Sequence, residues 1–257
     1  MFTLLIVVSG VAGLLIGSFL NVVIYRVPLG LSVVSPPSAC PRCARQLLFR
    51  DNVPVLSWLW LRGRCRFCAE PIAKRYPLVE LLTATVFATV AARVGVSWAI
   101  PAYLVFAAGL IALSWIDVES LTLPKRLVYV HLALVVVLLA LASSVTHHWR
   151  HLLVGAICAV GWWTLFFLLN LLNPRWLGFG DVRFSLVLGL ALGWLSFGHV
   201  VLGFFAANLI GLVVSLVLLS MGKLERNTRI PYGVFLSAGA LTSIFFGAPL
   251  LSSLAIH

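Results

Sequence analysis

Apolar stretches of about twenty residues recur along this chain, and that recurrence constrains its fold more than any other feature. A helix of ~20 apolar residues is what crosses a bilayer. Hydrophobic residues make up 62% of the 257, charged ones only 10%, and the mean hydropathy is +1.10. Soluble domains carry about 25% charged residues. The chain is therefore expected to be an all-α polytopic membrane protein of about eight transmembrane helices. The expected spans are 3–25, 77–96, 98–116, 127–145, 151–172, 182–195, 198–220 and 232–256. The run from Phe184 to Ser220 is too long for one crossing, and "SFGH" at 196–199 is read as its break. Without that break the helix count falls to seven. The N-terminus has no basic region and no small-residue cleavage site, so the first run is read as a retained span.

Charge sets the expected topology. The polar insertion 26–76 holds Arg26, Arg42, Arg45, Arg50, Arg62, Arg64, Arg66, Lys74 and Arg75, nine of the eighteen basic residues. If it is cytoplasmic, alternation brings Lys125, Arg126, Arg175, Arg183, Lys223, Arg226 and Arg229 to the same side. Only Arg93 and Arg150 then lie outside, which agrees with the positive-inside rule and puts the N-terminus outside. The net charge of +11 is thus a topological signal, with anionic lipid headgroups as its natural counterpart. Nucleic acid is not needed as a partner.

The same insertion carries "CPRC" at 40–43 and "CRFC" at 65–68. Two C-x2-C pairs separated by 21 residues suit a closed tetrahedral zinc site, because each pair can turn back on one ion. Two disulfides are the alternative, disfavoured by a reducing cytoplasm. Four thiolates leave no open position for water, so Cys40, Cys43, Cys65 and Cys68 point to a structural metal. A proline-rich segment this short needs such a staple. Cys158, in an apolar span, reads as a small buried hydrophobe.

The chain has only seven acidic residues. Asp51 and Glu70 read as solvated surface of the insertion, and Glu80 opens the second span. Asp117 closes the third span and Asp181, in "LGFGDVRFSL", opens the sixth. Two spans separate them, so they return to one membrane face whatever the absolute orientation. Asp181 has a bland reading as a helix cap. Asp117 has less excuse, since a carboxylate near a helix C-terminus opposes the macrodipole. Ionisable groups at membrane depth default to functional candidates. Two carboxyls at ~3 Å share a proton and titrate as a unit. One can take a proton from a water that attacks a peptide carbonyl while the other donates. Peptide hydrolysis and cation transport both fit this pair.

Several strings together resemble the type IV prepilin peptidases, integral-membrane aspartic peptidases. They are "GSFLNVVIYRVP" (17–28), "CPRC", "DNVPVLSWLWLRGRCRFC" (51–68), "PIAKRYPLVELLT" (71–83), "GFGD" (178–181) and "IPYGVFL" (230–236). The resemblance implies removal of a basic leader from prepilins and pseudopilins at the cytoplasmic face of a bacterial inner membrane. It also implies N-methylation of the new N-terminus with S-adenosylmethionine. Asp117 and Asp181 take the catalytic positions, and the four cysteines bind metal. Gly178 and Gly180 are expected to let substrate backbone approach. The implied division is a first helix 1–25, a cytoplasmic zinc domain with the methyltransferase part at 26–76, and a peptidase domain at 77–257. The alternatives are a peptidase without methylation and an ion-coupled transporter. Three positions depart from the family pattern: Arg183 for lysine, Val234 for the last proline of P-Y-G-P, and Lys125 after the Leu-Pro.

Three lesser features complete the reading. "GLLIG" (13–17) and "GLALG" (189–193) suggest close helix packing, the second as a means of holding Asp181 near Asp117. Trp58, Trp60, Trp115 and Trp176 lie near expected interfaces. "THHWRH" (146–151) reads as a solvated external turn.

Overall fold

Each apolar run becomes one helix. The computed structural model describes residues 1–40, 42–174, 177–222 and 230–254. Pro41, Arg175, Trp176, Lys223, Arg226 and Arg229, used above, lie outside them. Helix α1 covers Phe2–Arg26, and a 3₁₀ turn at Phe49–Asn52 and the short α2 at Leu56–Trp60 follow in the polar insertion. Then come α3 (Arg75–Val94), α4 (Ile100–Ser120), α5 (Lys125–Thr146), α6 (Trp149–Leu172), α7 (Phe179–Leu195), α8 (Phe197–Ser220) and α9 (Tyr232–Leu254). Among the described residues, seven helices are long and apolar enough to cross a membrane. The remaining expected span, the sixth, is α7, which has 17 residues, the lower limit for a crossing helix. The expected break falls where "SFGH" placed it. Ser196 is extended and its hydroxyl accepts from the His199 amide at 3.3 Å, so a polar residue in an apolar run serves as the N-cap of α8.

The chain forms two compact units, Met1–Val96 and Ser97–His257. In the first, α1 and α3 pack antiparallel along a seam with a four-residue repeat. A Cβ on Gly13 would stand 2.6 Å from Ala84 Cα, and one on Gly17 2.7 Å from Glu80 Cα. At the next step Asn21 Nδ2 donates to the Tyr76 carbonyl at 3.1 Å. The small residues of "GLLIG" thus let two backbones touch.

In the second unit α4 and α7 are the inner helices. Eleven residues of α4 and eleven of α7 are buried, among them Phe106, Leu110, Ile116, Phe184, Leu188 and Leu192. Both aspartates ride on these helices. Tyr103 on α4 donates to the Ala191 carbonyl of α7 at 2.8 Å, and Trp194 on α7 donates to Ser143 on α5 at 3.1 Å. "GLALG" faces α6 rather than α4. A Cβ on Gly189 would lie 2.6 Å from Ala159 Cα, and one on Gly193 2.6 Å from Cys158 Cβ. Buried Cys158 is the small packing residue expected. The Gly193→Leu substitution must force α6 and α7 apart. It is expected to cost about 1–3 kcal/mol, read as a lower denaturation midpoint in detergent.

Candidate active site and metal centre

Asp117 and Asp181 come together at one end of the second unit. Asp117 lies in the last turn of α4, and α5 and α6 return the chain so that α7 starts beside it. The two residues are 5% and 9% exposed, and the charge of Asp117 is felt at Asp181.

Local sequence sets each carboxyl. Gly178, in extended conformation, is the N-cap of α7, which makes Asp181 the third helical residue. Its carboxyl reaches back to the Gly178 amide, as an acid at that position does in a capping box. The capping role and the pairing with Asp117 therefore coexist. Asp117 faces the wrong end of its own helix dipole, but a second helix compensates. Gly233, in the first turn of α9, donates its amide to Asp117 Oδ2 at 2.8 Å. A helix N-terminus offers just such amides to an anion.

Leu123 joins the motifs. It belongs to the Leu-Pro after Asp117, and a Cβ on Gly180 would meet it at 2.9 Å while one on Gly233 would meet it at 3.3 Å. The space beside Gly180 is thus filled by Leu123. The open side of Gly178 faces the Asp181 carboxyl, and a Cβ there would stand 3.1 Å from Asp181 Oδ2. The Tyr232 hydroxyl bonds Asn208 at 3.3 Å and stands within electrostatic reach of Asp181. Arg183 stacks on the Phe179 ring at 4.5 Å. Sequence reasoning assigned no site role to Leu123, Asn208, Tyr232 or Gly233. The signal for the last two was the Pro-Tyr-Gly that opens α9 with an unobstructed amide.

The insertion builds two equivalent knuckles. In each, the residue after the second cysteine, Ala44 or Ala69, takes positive φ and returns its amide to the first cysteine's carbonyl, at 2.9 Å in both. The first cysteine's amide then closes the turn on Arg45 or Glu70, at 2.9 and 2.8 Å. The four sulfurs lie within 4.8 Å of one another, Cys40 and Cys68 at 3.7 Å, and none is in a disulfide. Metal–sulfur bonds of about 2.3 Å in a tetrahedron space the sulfurs at about 3.8 Å. The donor set therefore fits one tetrahedral ion. Asp51, expected on the solvated surface, instead bonds Arg66 at 2.6–3.1 Å and ties the 3₁₀ turn to the second knuckle. The guanidinium holds its carboxyl below the usual range.

Known proteins match both units. The bacterial peptidase A24 N-terminal domain matches residues 11–94, and the type IV leader peptidase family matches residues 104–216. The prepilin leader peptidase/N-methyltransferase of Stutzerimonas stutzeri is 33% identical over 269 residues, covering 95% of this chain and 91% of the relative. The chain belongs to the type IV leader peptidase family. Proteins of the same name from Burkholderia pseudomallei strain K96243 and Pseudomonas aeruginosa are similar at 36% and 33% identity. These matches cover 93% and 91% of this chain, and 84% and 88% of the relatives. No solved structure matches. "GFGD" and the tetracysteine pattern are thus features of a leader peptidase of this family, and the helices make it a multi-pass membrane protein.

Proposed function

We propose that this leader peptidase is a membrane aspartic endopeptidase that removes the leader of type IV prepilins and pseudopilins and N-methylates the new N-terminus. The observation that carries the reading is the convergence of residues 117–123, 178–181 and 231–233 on one pair of buried carboxyls. Asp117 and Asp181 are the catalytic pair, sharing one proton. The ionised member draws a proton from water, whose oxygen attacks the scissile carbonyl, and the protonated member donates to the carbonyl oxygen. Collapse of the adduct breaks the C–N bond, and the proton taken from water goes to the leaving nitrogen. Gly233 holds the Asp117 oxygen, and Gly178, whose open side faces the Asp181 carboxyl, forms the approach for an extended peptide, while Gly180 makes room for Leu123.

The chain sits in the bacterial inner membrane, with 26–76 and the aspartates on the cytoplasmic side, where basic leaders are found. Lipid is its second partner; nucleic acid is not one. Zinc is the ion that suits Cys40, Cys43, Cys65 and Cys68, in a structural role. The working parts are 1–25, 26–76 and 77–257. S-Adenosylmethionine supplies an electrophilic methyl group when bound.

The test incubates a synthetic prepilin with the purified protein in lipid nanodiscs and weighs the products. Intact leader after prolonged incubation would refute the peptidase, and an unmethylated mature N-terminus with donor present would refute the transferase. One variant probes the geometry directly. A Cβ at residue 233 would stand 2.9 Å from Asp117 Oδ2, so Gly233→Ala must displace that carboxyl. Cleavage is expected to slow by roughly tenfold to a hundredfold, measured as the initial rate on the same prepilin.

A further inference from the structure

The first unit holds a cavity that the peptidase chemistry does not use. It measures about 390 Å³ and lies between the second half of α1 and the loop 33–54. Small-molecule sites are typically of roughly 300–1,000 Å³, largely apolar, with a few convergent polar groups. This one has prolines and valines for walls and two phenylalanines, Phe19 and Phe49. Phe49 is 95% exposed, so its ring packs against nothing in the chain.

The polar groups stand at the two ends. Ser18 and Arg26 both line the cavity, and eight residues of helix separate them by about 12 Å. Arg26 hydrogen-bonds the Ser32 and Pro36 carbonyls at 2.9 and 2.7 Å, which fixes its guanidinium at the mouth. Ser18 lies beside the carboxyl of Glu80, which also accepts the Val55 amide at 2.7 Å. Val55 is a β-branched residue at φ 61°, a conformation that needs an anchor. Glu80 thus pins the cavity wall and places a buried acid behind Ser18. A second cavity of about 350 Å³, between α6 and α8, has walls of apolar side chains and Cys158 and offers nothing to a charged ligand.

We infer that the cavity between α1 and loop 33–54 is the binding site for the methyl donor, S-adenosylmethionine. The inference rests on the N-methyltransferase reading above. Phe19 and Phe49 offer flat faces to the adenine, Arg26 meets the carboxylate, and Glu80 behind Ser18 favours the cationic centre. Arg26 and Glu80 do not match a neutral lipid chain. The donor, being water-soluble, reaches a cavity at the polar end of α1.

The test is binding, by titration calorimetry on the full chain in nanodiscs, of S-adenosylmethionine and separately of S-adenosylhomocysteine. The second lacks the sulfonium charge. Phe49→Ala removes an exposed ring and so leaves folding intact. It is expected to weaken both ligands by roughly tenfold, and Phe49→Tyr to restore them. Glu80→Gln keeps the Val55 acceptor but loses the charge. It is expected to weaken S-adenosylmethionine at least threefold more than S-adenosylhomocysteine, a difference that a purely structural role would not produce. Ultraviolet crosslinking of methyl-labelled donor should mark peptides within 15–54. Unchanged affinity in Phe49→Ala and Glu80→Gln, or label confined to residues 97–257, overturns the site while a methylated product leaves the transferase reading standing. A wild-type chain that neither binds donor nor methylates overturns both.

Discussion

Replacing either Asp117 or Asp181 by asparagine is expected to reduce leader removal by about a thousandfold or more. Asparagine has nearly the same shape, and its carbonyl oxygen can still accept the Gly233 amide that Asp117 Oδ2 accepts at 2.8 Å. The packing around Leu123, Gly180 and Gly233 is therefore kept. What the proposed mechanism would lose is proton transfer, which contributes about 10²–10⁴, together with the shared charge of the pair. On the proposed shared-proton mechanism, the double variant should be no slower than the slower single one, within a few-fold. The measurement is single-turnover cleavage of a prepilin in nanodiscs, with thermal unfolding recorded on the same samples. Either single variant retaining a tenth of the wild-type rate with an unchanged unfolding midpoint would sink the aspartic mechanism. A transporter reading is already weakened by the location of the acids. They lie at helix ends, in the last turn of α4 and the first of α7, whereas carriers bind ions near the bilayer midplane between broken helices.

The pairing of the aspartates was legible because it needs only counting: two helices between two acids return the chain to one face. The break before α8 was legible because a serine in an apolar run has an evident use as a cap. The role of Gly233 was not, since its bond to Asp117 joins residues 116 apart and depends on where α9 packs. The glycine motif misled in one respect. A glycine invites the thought of an approaching ligand, but beside Gly180 the neighbour is the chain's own Leu123. "GLALG" was correctly read as a packing seam, though its partner is α6; periodicity gives a face and not what covers it. The turns after each C-x2-C were hidden for another reason. Positive φ is expected of glycine, and here alanines adopt it at Ala44 and Ala69 because the knuckle's hydrogen bonds require it. Asp51 read as surface because its partner, Arg66, is fifteen residues away across the fold.

The second large effect belongs to the four cysteines. The purified chain is expected to contain one zinc, and Cys40→Ser combined with Cys65→Ser to contain none, by elemental mass spectrometry. The reason lies in how little else holds residues 39–71 together. Besides the sulfur cluster, the two knuckles are linked by the exposed Arg42–Glu70 pair at 4.0 Å and by Arg45 over the Phe67 ring at 5.0 Å, and β-pairing among the described residues is limited to the isolated bridges Ala39–Gln46 and Arg64–Pro71. The bidentate pair of Asp51 with Arg66 buries the carboxylate but leaves the arginine partly exposed, and a hydrogen bond to a charged group contributes about 1.5–3 kcal/mol. A structural zinc contributes about 10–16 kcal/mol in small zinc-finger domains, more than most domains have in total stability. Losing it should therefore unfold the segment rather than loosen it. Amide hydrogen exchange should show protection vanishing over 39–71, including the Cys40 and Cys65 amides that close the knuckles, while α4 and α7 keep theirs. Loop 33–54 shares the first knuckle, so donor binding and N-methylation should fall with the zinc. Full amide protection in a metal-free double variant would show that the fold of the insertion does not depend on the ion. Pairwise oxidised cysteines in the wild type, counted by thiol titration under anaerobic purification, would replace the metal with disulfides.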